Sequence, residues 1–337
     1  MHGAYLGRLS PDDPLHGYLR HEIAPQIGYP PSHADYRVFR PACSHHVYVY
    51  EERRHGYRVV GKFHPPNGHR DAGAAARAAH TEYGNLLYLR GLGLAGDQHH
   101  VVRPLGCNPF LNNLLVVEYL EGQLLGSVIE QAIHAGRRDR LFRRLAGLAR
   151  FLAAMHNRTA GDWTVNFSES CDYMGRLVRA LARRWDLDRQ HCEELHGLCE
   201  AWRRREIMWE DRSVLVHGDA TPSNFLFGPD GTVLVIDLER MKWADRVFDL
   251  GRLCGEIKHY FLQGVGDPLA AEPFIGHFLW EYCGHFPDRD RAFRSVTRRL
   301  PFYMGITLLR IARNPWVSED YRQRLIREAK HILRAGT

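Results

Sequence analysis

The sequence predicts an α+β protein in two lobes: a small β-rich N-terminal lobe over residues 1–120 and a larger, mainly helical C-terminal lobe over 121–337. Three observations predict it. Short runs rich in Val, Tyr and Phe crowd the stretch before residue 64. After residue 121, apolar residues recur at helical three- and four-residue steps. A group of short apolar segments, with turn residues among them, interrupts the helices between 214 and 236.

In the first lobe, 36–39, 46–51 and 57–63 read as strands, with Arg53-Arg54-His55-Gly56 as the turn between the last two. The alanine- and leucine-rich stretch 72–92 reads as a helix, with Gly91 and Gly93 at its end. Residues 114–120 form a continuous apolar run broken only by Glu118, which predicts a buried strand. Residues 1–35 form an extra N-terminal segment to which the pattern assigns no element. The boundary near 120–122 is a change of pattern and not a linker.

In the second lobe, Leu141, Leu145, Leu148, Leu152 and Met155 mark one apolar helix face. Further helices are predicted over 172–186 and 191–208. The strand-like segments follow at Val214–Val216, 224–227 and 232–236, the last two joined by a Pro229-Asp230-Gly231 turn. Helices resume over 247–262, 270–283, 291–311, with a kink expected at Pro301, and Glu319–Ala335.

With 45% apolar and 25% charged residues, the chain has the composition of a folded globular enzyme and not of a disordered one. No apolar stretch is long enough to span a bilayer, and the first residues lack the pattern of a secretory signal. The seven cysteines are odd in number and form no Cys-x-x-Cys pair, which points to reduced thiols and a cytoplasmic protein. The net charge is only +6, and the arginine runs, such as Arg203-Arg204-Arg205, read as solvated helix faces. No nucleic-acid partner is expected. Cys192, His196 and Cys199 share a helix face, but three ligands fall short of a structural zinc site.

Chemistry concentrates in His217–Glu239, HGDATPSNFLFGPDGTVLVIDLE. Asp219 and Asn224 lie five residues apart on the loop between two short strands, and Asp237 comes thirteen residues later, across a hairpin. Phosphoryl transfer needs little covalent help from protein. It needs a divalent cation to neutralise phosphate charge and a carboxylate to orient the attacking hydroxyl and take its proton. Asp and Asn oxygens are suitable hard ligands for Mg²⁺. One such residue alone would be read as a turn cap; the ordered set is what argues for a site. In the first lobe, Lys62 lies in the apolar strand Val59-Val60-Gly61-Lys62-Phe63, where an unpaired charge would be costly. Glu82 lies in the next helix.

The set His217-Gly218-Asp219, Asn224 and Ile236-Asp237-Leu238-Glu239 resembles the aminoglycoside phosphotransferase and choline kinase-like family, relatives of the protein kinases, whose catalytic loop has the same His-x-Asp-x-x-x-x-Asn spacing. The resemblance implies a two-lobed protein kinase-like fold with ATP and Mg²⁺ between the lobes. It implies Asp219 as catalytic base, Asn224 and Asp237 as metal ligands, and His217 and Asp249 as supports of the catalytic loop. It also implies Lys62 on the nucleotide phosphates with Glu82 holding it, and the backbone of Glu118 and Leu120 on the adenine edge. No Gly-x-Gly-x-x-Gly precedes Lys62, so Ser44, in the turn that replaces it, is the candidate phosphate contact. The expected activity is transfer of the γ-phosphate to a hydroxyl of a small molecule: a sugar, an amino alcohol or an antibiotic-like acceptor. Lys258 and His259 are candidate acceptor contacts. The alternatives are a catalytically silent nucleotide-binding regulator of the same fold and a protein kinase.

Overall fold

The computed structural model describes residues 3–31, 33–41, 46–66, 71–96 and 98–336. The chain forms two compact units: Met1–Gly122 together with Leu234–Glu239, and Gln123–Val233 together with Arg240–Thr337.

The first unit is built on a six-stranded antiparallel sheet of β1 (Ala4–Arg8), β2 (Tyr36–Arg40), β3 (Val47–Glu52), β4 (Arg58–Phe63), β6 (Pro104–Asn108) and β7 (Leu114–Glu118), in the order β1-β2-β3-β4-β7-β6. The short strand β5 (His99–Val101) precedes β6. Between β1 and β2 the chain forms a short helix, α1 (Pro14–Tyr18), whose N-cap Asp13 accepts from the Leu15 N–H at 2.9 Å. Leu15, Leu19 and Ile23 bury themselves against Tyr36, Tyr50, Val59, Leu114 and Val116. The N-terminal segment, unassigned from sequence, thus supplies an edge strand and part of the core. Helix α2 (Ala72–Gly91) starts at Asp71, which accepts from the Ala74 N–H at 2.7 Å. Its buried positions Ala75, Ala79, Glu82, Leu86 and Leu89 recur at steps of four and three, so a carboxylate occupies the middle of the apolar stripe.

The second unit begins with β8 (Gln123–Leu124), α3 (Leu125–His134), α4 (Arg138–Arg158), α5 (Phe167–Trp185) and α6 (Arg189–Arg203). The apolar stripe of α4 is fully buried, as its spacing predicts. Helix α5 starts five residues earlier than its pattern suggests, because Phe167 packs edge-on against Trp209 and Phe302. Three short strands come next: β9 (Val214–Val216), β10 (Phe225–Phe227) and β11 (Val233–Val235), the end of which passes into the first unit. Asp230 closes the turn after β10, accepting from the Thr232 N–H at 3.0 Å and its hydroxyl at 2.7 Å. Strand β12 (Lys242–Ala244), not foreseen, pairs antiparallel with β9 and sets Lys242 opposite Val216. The unit ends with α7 (Val247–Val265), α8 (Glu272–Cys283), α9 (Arg289–Ala312) and α10 (Glu319–Ala335). Helix α9 runs through Pro301 without interruption, packed between α7 and α10.

Candidate active site

Strand β9 is wholly buried and delivers the chain to His217-Gly218-Asp219. Gly218 has φ +80°, and a Cβ there would lie 1.9 Å from the Arg240 carbonyl oxygen, so the turn admits only glycine. Asp249, fully buried in the first turn of α7, holds this turn. Its carboxylate accepts from the His217 N–H at 2.6 Å and the Gly218 N–H at 3.0 Å, and from His156 Nε2 at 3.2 Å. Burial works to raise the Asp249 pKa, but these hydrogen bonds outweigh it and hold the group below the usual carboxylate range. Burial pulls the His156 pKa down more than Asp249 raises it, so the imidazole is neutral. A carboxylate can only accept, so Nε2 donates to Asp249, and Nδ1 accepts from the Tyr282 hydroxyl at 2.9 Å.

The loop is also tied from within. The Asp219 carbonyl accepts from the Thr221 N–H at 2.7 Å and from Asn224 Nδ2 at 2.8 Å. That second bond fixes which way the Asn224 amide faces. Its Oδ1 is the metal-facing candidate, with the Ser223 hydroxyl at 3.4 Å as a distant donor. The Asp219 carboxylate is flanked by two guanidiniums, Arg252 Nη1 at 3.7 Å and Arg240 Nη1 at 3.8 Å.

In the first unit, Lys62 lies on β4 opposite Val47 on one side and Leu115 on the other. Its Nζ is 2.5 Å from Asp237 Oδ1, 2.8 Å from Glu82 Oε2 and 3.5 Å from Glu239 Oε2. Burial works to lower the pKa of the ammonium. The three carboxylates, Glu82 foremost, outweigh burial and raise the pKa instead. The segment bearing Asp237 is anchored at two points, with the Val102 N–H donating to Val235 O at 2.9 Å and Asn85 Nδ2 to Leu238 O at 2.9 Å. Asp237 itself has φ +65°, a left-handed conformation that aspartate tolerates better than most residues. His64, two residues past Lys62 and buried, places Nε2 3.4 Å from Glu82 Oε2 and was not foreseen. His64, Glu82 and Glu239 are the only His/Cys/Asp/Glu cluster of metal-binding compactness among the described residues, and the Lys62 ammonium lies close to both acids. Cys192, His196 and Cys199 do not converge: the Cys192 thiol turns to Leu187 O and the Cys199 thiol to Cys171 O.

Glu118 ends β7. Its backbone N–H donates to Arg103 O at 3.0 Å, and its side chain accepts from His100 Nε2 and the Arg103 N–H, each at 2.5 Å. Leu120 lies just past the strand and is half-buried. Ser44 lies outside the described residues. Lys258 is taken up by Glu272 at 2.8 Å and Glu328 at 3.3 Å, and His259 by the Tyr321 hydroxyl at 2.7 Å. The side chain of α7 that meets Asp219 is Arg252, one turn beyond Asp249 and unforeseen in the sequence.

A β-rich unit followed by a helical one, with a carboxylate-anchored His-Gly-Asp loop, defines the protein kinase-like fold. The choline kinase of Cryptosporidium parvum Iowa II superposes with a TM-score of 0.65 at 10% identity, over 95% of this chain and 95% of that one. Plasmodium vivax ethanolamine kinase gives 0.57 at 12% identity, over 90% and 83%. The streptomycin–ATP ternary complex of APH(2")-IIa gives 0.57 at 12% identity, over 96% and 99%. At such identities the likeness is one of fold. No curated protein matches the chain in sequence. The sequence profile of the phosphotransferase enzyme family matches residues 35–287, and the chain belongs to that family. Among the described residues, no helix is long and apolar enough to cross a membrane.

Proposed function

We propose that this chain is an ATP-dependent phosphotransferase that moves the γ-phosphate to a hydroxyl of a small molecule: a sugar, an amino alcohol or an antibiotic-like acceptor. One observation carries the reading. Asp249 clamps the two amides before Asp219, while Asn224 clamps the carbonyl after it, so the Asp219 carboxylate is presented from a loop fixed on both sides. A rigid mount of this kind is what a positioned base requires.

In this reading Asp219 orients the acceptor hydroxyl and takes its proton as the oxygen attacks the γ-phosphorus. Lys62, held charged by Glu82, meets the nucleotide phosphates. Asn224 and Asp237 each supply a hard oxygen ligand, and bound magnesium neutralises phosphate charge. Each donor, within its own unit, has the chemistry of a hard ligand: Asn224 Oδ1 is oriented by the anchoring of Nδ2, and Asp237 is an anion beside Lys62. The Glu118 and Leu120 backbone takes the adenine edge, and Ser44 remains the candidate phosphate contact. His217 and Asp249 support the loop. The domain split at residues 120 and 121 assigns nucleotide binding to the first part and the acceptor to the second. Proteins of the same fold act on choline or ethanolamine, or bind streptomycin beside ATP, as their names state, which supports a small-molecule acceptor.

The test is ADP release with Mg²⁺ and ATP across sugars, amino alcohols, aminoglycosides and nucleosides. The expected result is release that requires both magnesium and one acceptor class. A chain that binds no Mg²⁺–ATP by calorimetry and releases no ADP with any acceptor would refute the proposal.

A further inference from the structure

Helix α7 carries Asp249, Arg252 and Glu256 at steps of three and four, on one face. Asp249 holds the catalytic loop. Glu256 is paired with Arg310, at 2.5 Å. Arg252 is different. It is 4% exposed, yet its Nη1 has no hydrogen-bond partner, and neither has the Asp219 Oδ1 that it faces at 3.7 Å. That distance is too long for a hydrogen bond. Arg240 approaches the other Asp219 oxygen only to 3.8 Å.

More positive charge gathers beside it. The guanidinium of Arg252 lies 5.4 Å from the centre of the Phe248 ring, and Lys242 Nζ lies 4.3 Å from the same ring. Burial, with Arg310 nearby, lowers the Arg252 pKa more than Asp219 and a hydrogen bond to Tyr173 raise it, and burial likewise outweighs the acids near Lys242. A buried guanidinium N–H without an acceptor is costly. An anion brought by the ligand would relieve that cost.

We propose that the acceptor is an alcohol bearing an anionic group, a phosphate or a carboxylate, and that Arg252 is the residue selecting it. The inference rests on the phosphotransferase reading and narrows its acceptor. The anionic group accepts from Arg252 Nη1 while the hydroxyl faces Asp219. Because these two protein groups are 3.7 Å apart, few bonds separate the hydroxyl from the anion in the acceptor. The acceptor oxygen forms its bond to the γ-phosphorus and gives its proton to Asp219. The bond from that phosphorus to the β,γ-bridging oxygen breaks, and its electron pair leaves on ADP.

The experiment first saturates the enzyme with Mg²⁺–ADP, monitored by calorimetry. Failure at this step sinks the phosphotransferase reading itself, whereas the later measurements bear on the anion alone. Sulfate is then titrated against chloride at fixed ionic strength, with thermal unfolding as readout. Sulfate is expected to raise the midpoint of the wild type, with the rise lost in Arg252→Gln and partly kept in Arg252→Lys. ADP release with ATP is then compared across glycerol, 2-amino-1,3-propanediol, glycerate and glycerol 3-phosphate, and across glucose, glucosamine, gluconate and glucose 6-phosphate. The anionic members should exceed their neutral counterparts roughly 10- to 100-fold in kcat/KM, the range of one charge-assisted hydrogen bond. Arg252→Gln should erase that ratio through KM. Glycerate against glycerol 3-phosphate, and gluconate against glucose 6-phosphate, tell carboxylate from phosphate. The proposal is overturned if a neutral or cationic alcohol is turned over best. It is equally overturned if Arg252→Gln lowers kcat alike for every acceptor, which would assign Arg252 to the transferred phosphate. If no panel member reacts, sulfate decides, and an equal response in wild type and Arg252→Gln overturns it.

Discussion

The Lys62 cluster and the Asp219 loop are charge images of one another. In the first, a single ammonium is ringed by three carboxylates, two of them within 2.8 Å. In the second, a single carboxylate is flanked by two guanidiniums, neither within hydrogen-bond reach of it. The first is a closed arrangement whose ion pairs are already made. The second is open, its charges close enough to attract but not to satisfy one another. A closed cluster fixes a side chain in place; an open one leaves Asp219 and Arg252 available to a ligand. That contrast suits the proposed division of labour, in which the first region meets the phosphates and the second presents the base to the alcohol.

Asp219 offers the most severe test of that division. Asp219→Asn keeps the shape and the Arg252 neighbour but removes the proton acceptor. Loss of one general base typically lowers turnover by about 10²- to 10⁴-fold, and kcat should fall within that range. Mg²⁺–ADP affinity, measured by calorimetry, should be retained, because Asp219 belongs to the open region. Asp237→Ala tests the closed one. It removes a proposed metal ligand and a partner of Lys62, and magnesium-dependent ADP affinity should drop roughly 10- to 100-fold. Affinity unchanged by the substitution would take Asp237 out of the metal site.

A third substitution asks how far the open region depends on its mount. Gly218→Ala would push a Cβ onto the Arg240 carbonyl and hold a non-glycine residue at φ +80°. Such backbone strain costs about 1–3 kcal/mol, seen as a lower midpoint in urea, and kcat should fall with it as the loop shifts. A variant as stable and active as the parent would mean that the loop tolerates displacement and that its rigidity is not what presents Asp219.

The loop residues were legible because their signal is local: Asp219 and Asn224 lie within one short segment, and Asp237 just across its hairpin. Glu82 was reached only through the family resemblance; the fold shows it as the one acid in the Ala75, Ala79, Leu86, Leu89 stripe, where burial demands a partner. Arg252 could not be read. It meets Asp219 across a long sequence separation, and its place one turn past Asp249 brings it to the loop, whereas Lys258 and His259 lie about two turns further along α7. Strand β1, within the first thirty-five residues, went unread for another reason. Four of the five residues of β1 are exposed, so an edge strand there leaves no hydrophobic period to detect.

The smallest expected effect concerns pH and a position further along α7. His259 is buried, and burial, aided by Arg310, lowers its pKa to about 4 from an ordinary 6.5. The unfolded chain therefore takes up a proton near pH 6.5 that the folded chain refuses. The folded pKa is the lower of the two, so the contribution of His259 is nil above pH 6.5 and destabilises progressively as pH falls toward 4. Between pH 7 and pH 5.5 it amounts to about 1 kcal/mol. His259→Gln should cut the pH dependence of urea unfolding over that interval by this amount while leaving the Lys62 cluster, in the other unit, untouched. An unchanged slope would mean that His259 accepts its proton in the folded protein, and that α7 is less tightly packed around it than its hydrogen bond to Tyr321 implies.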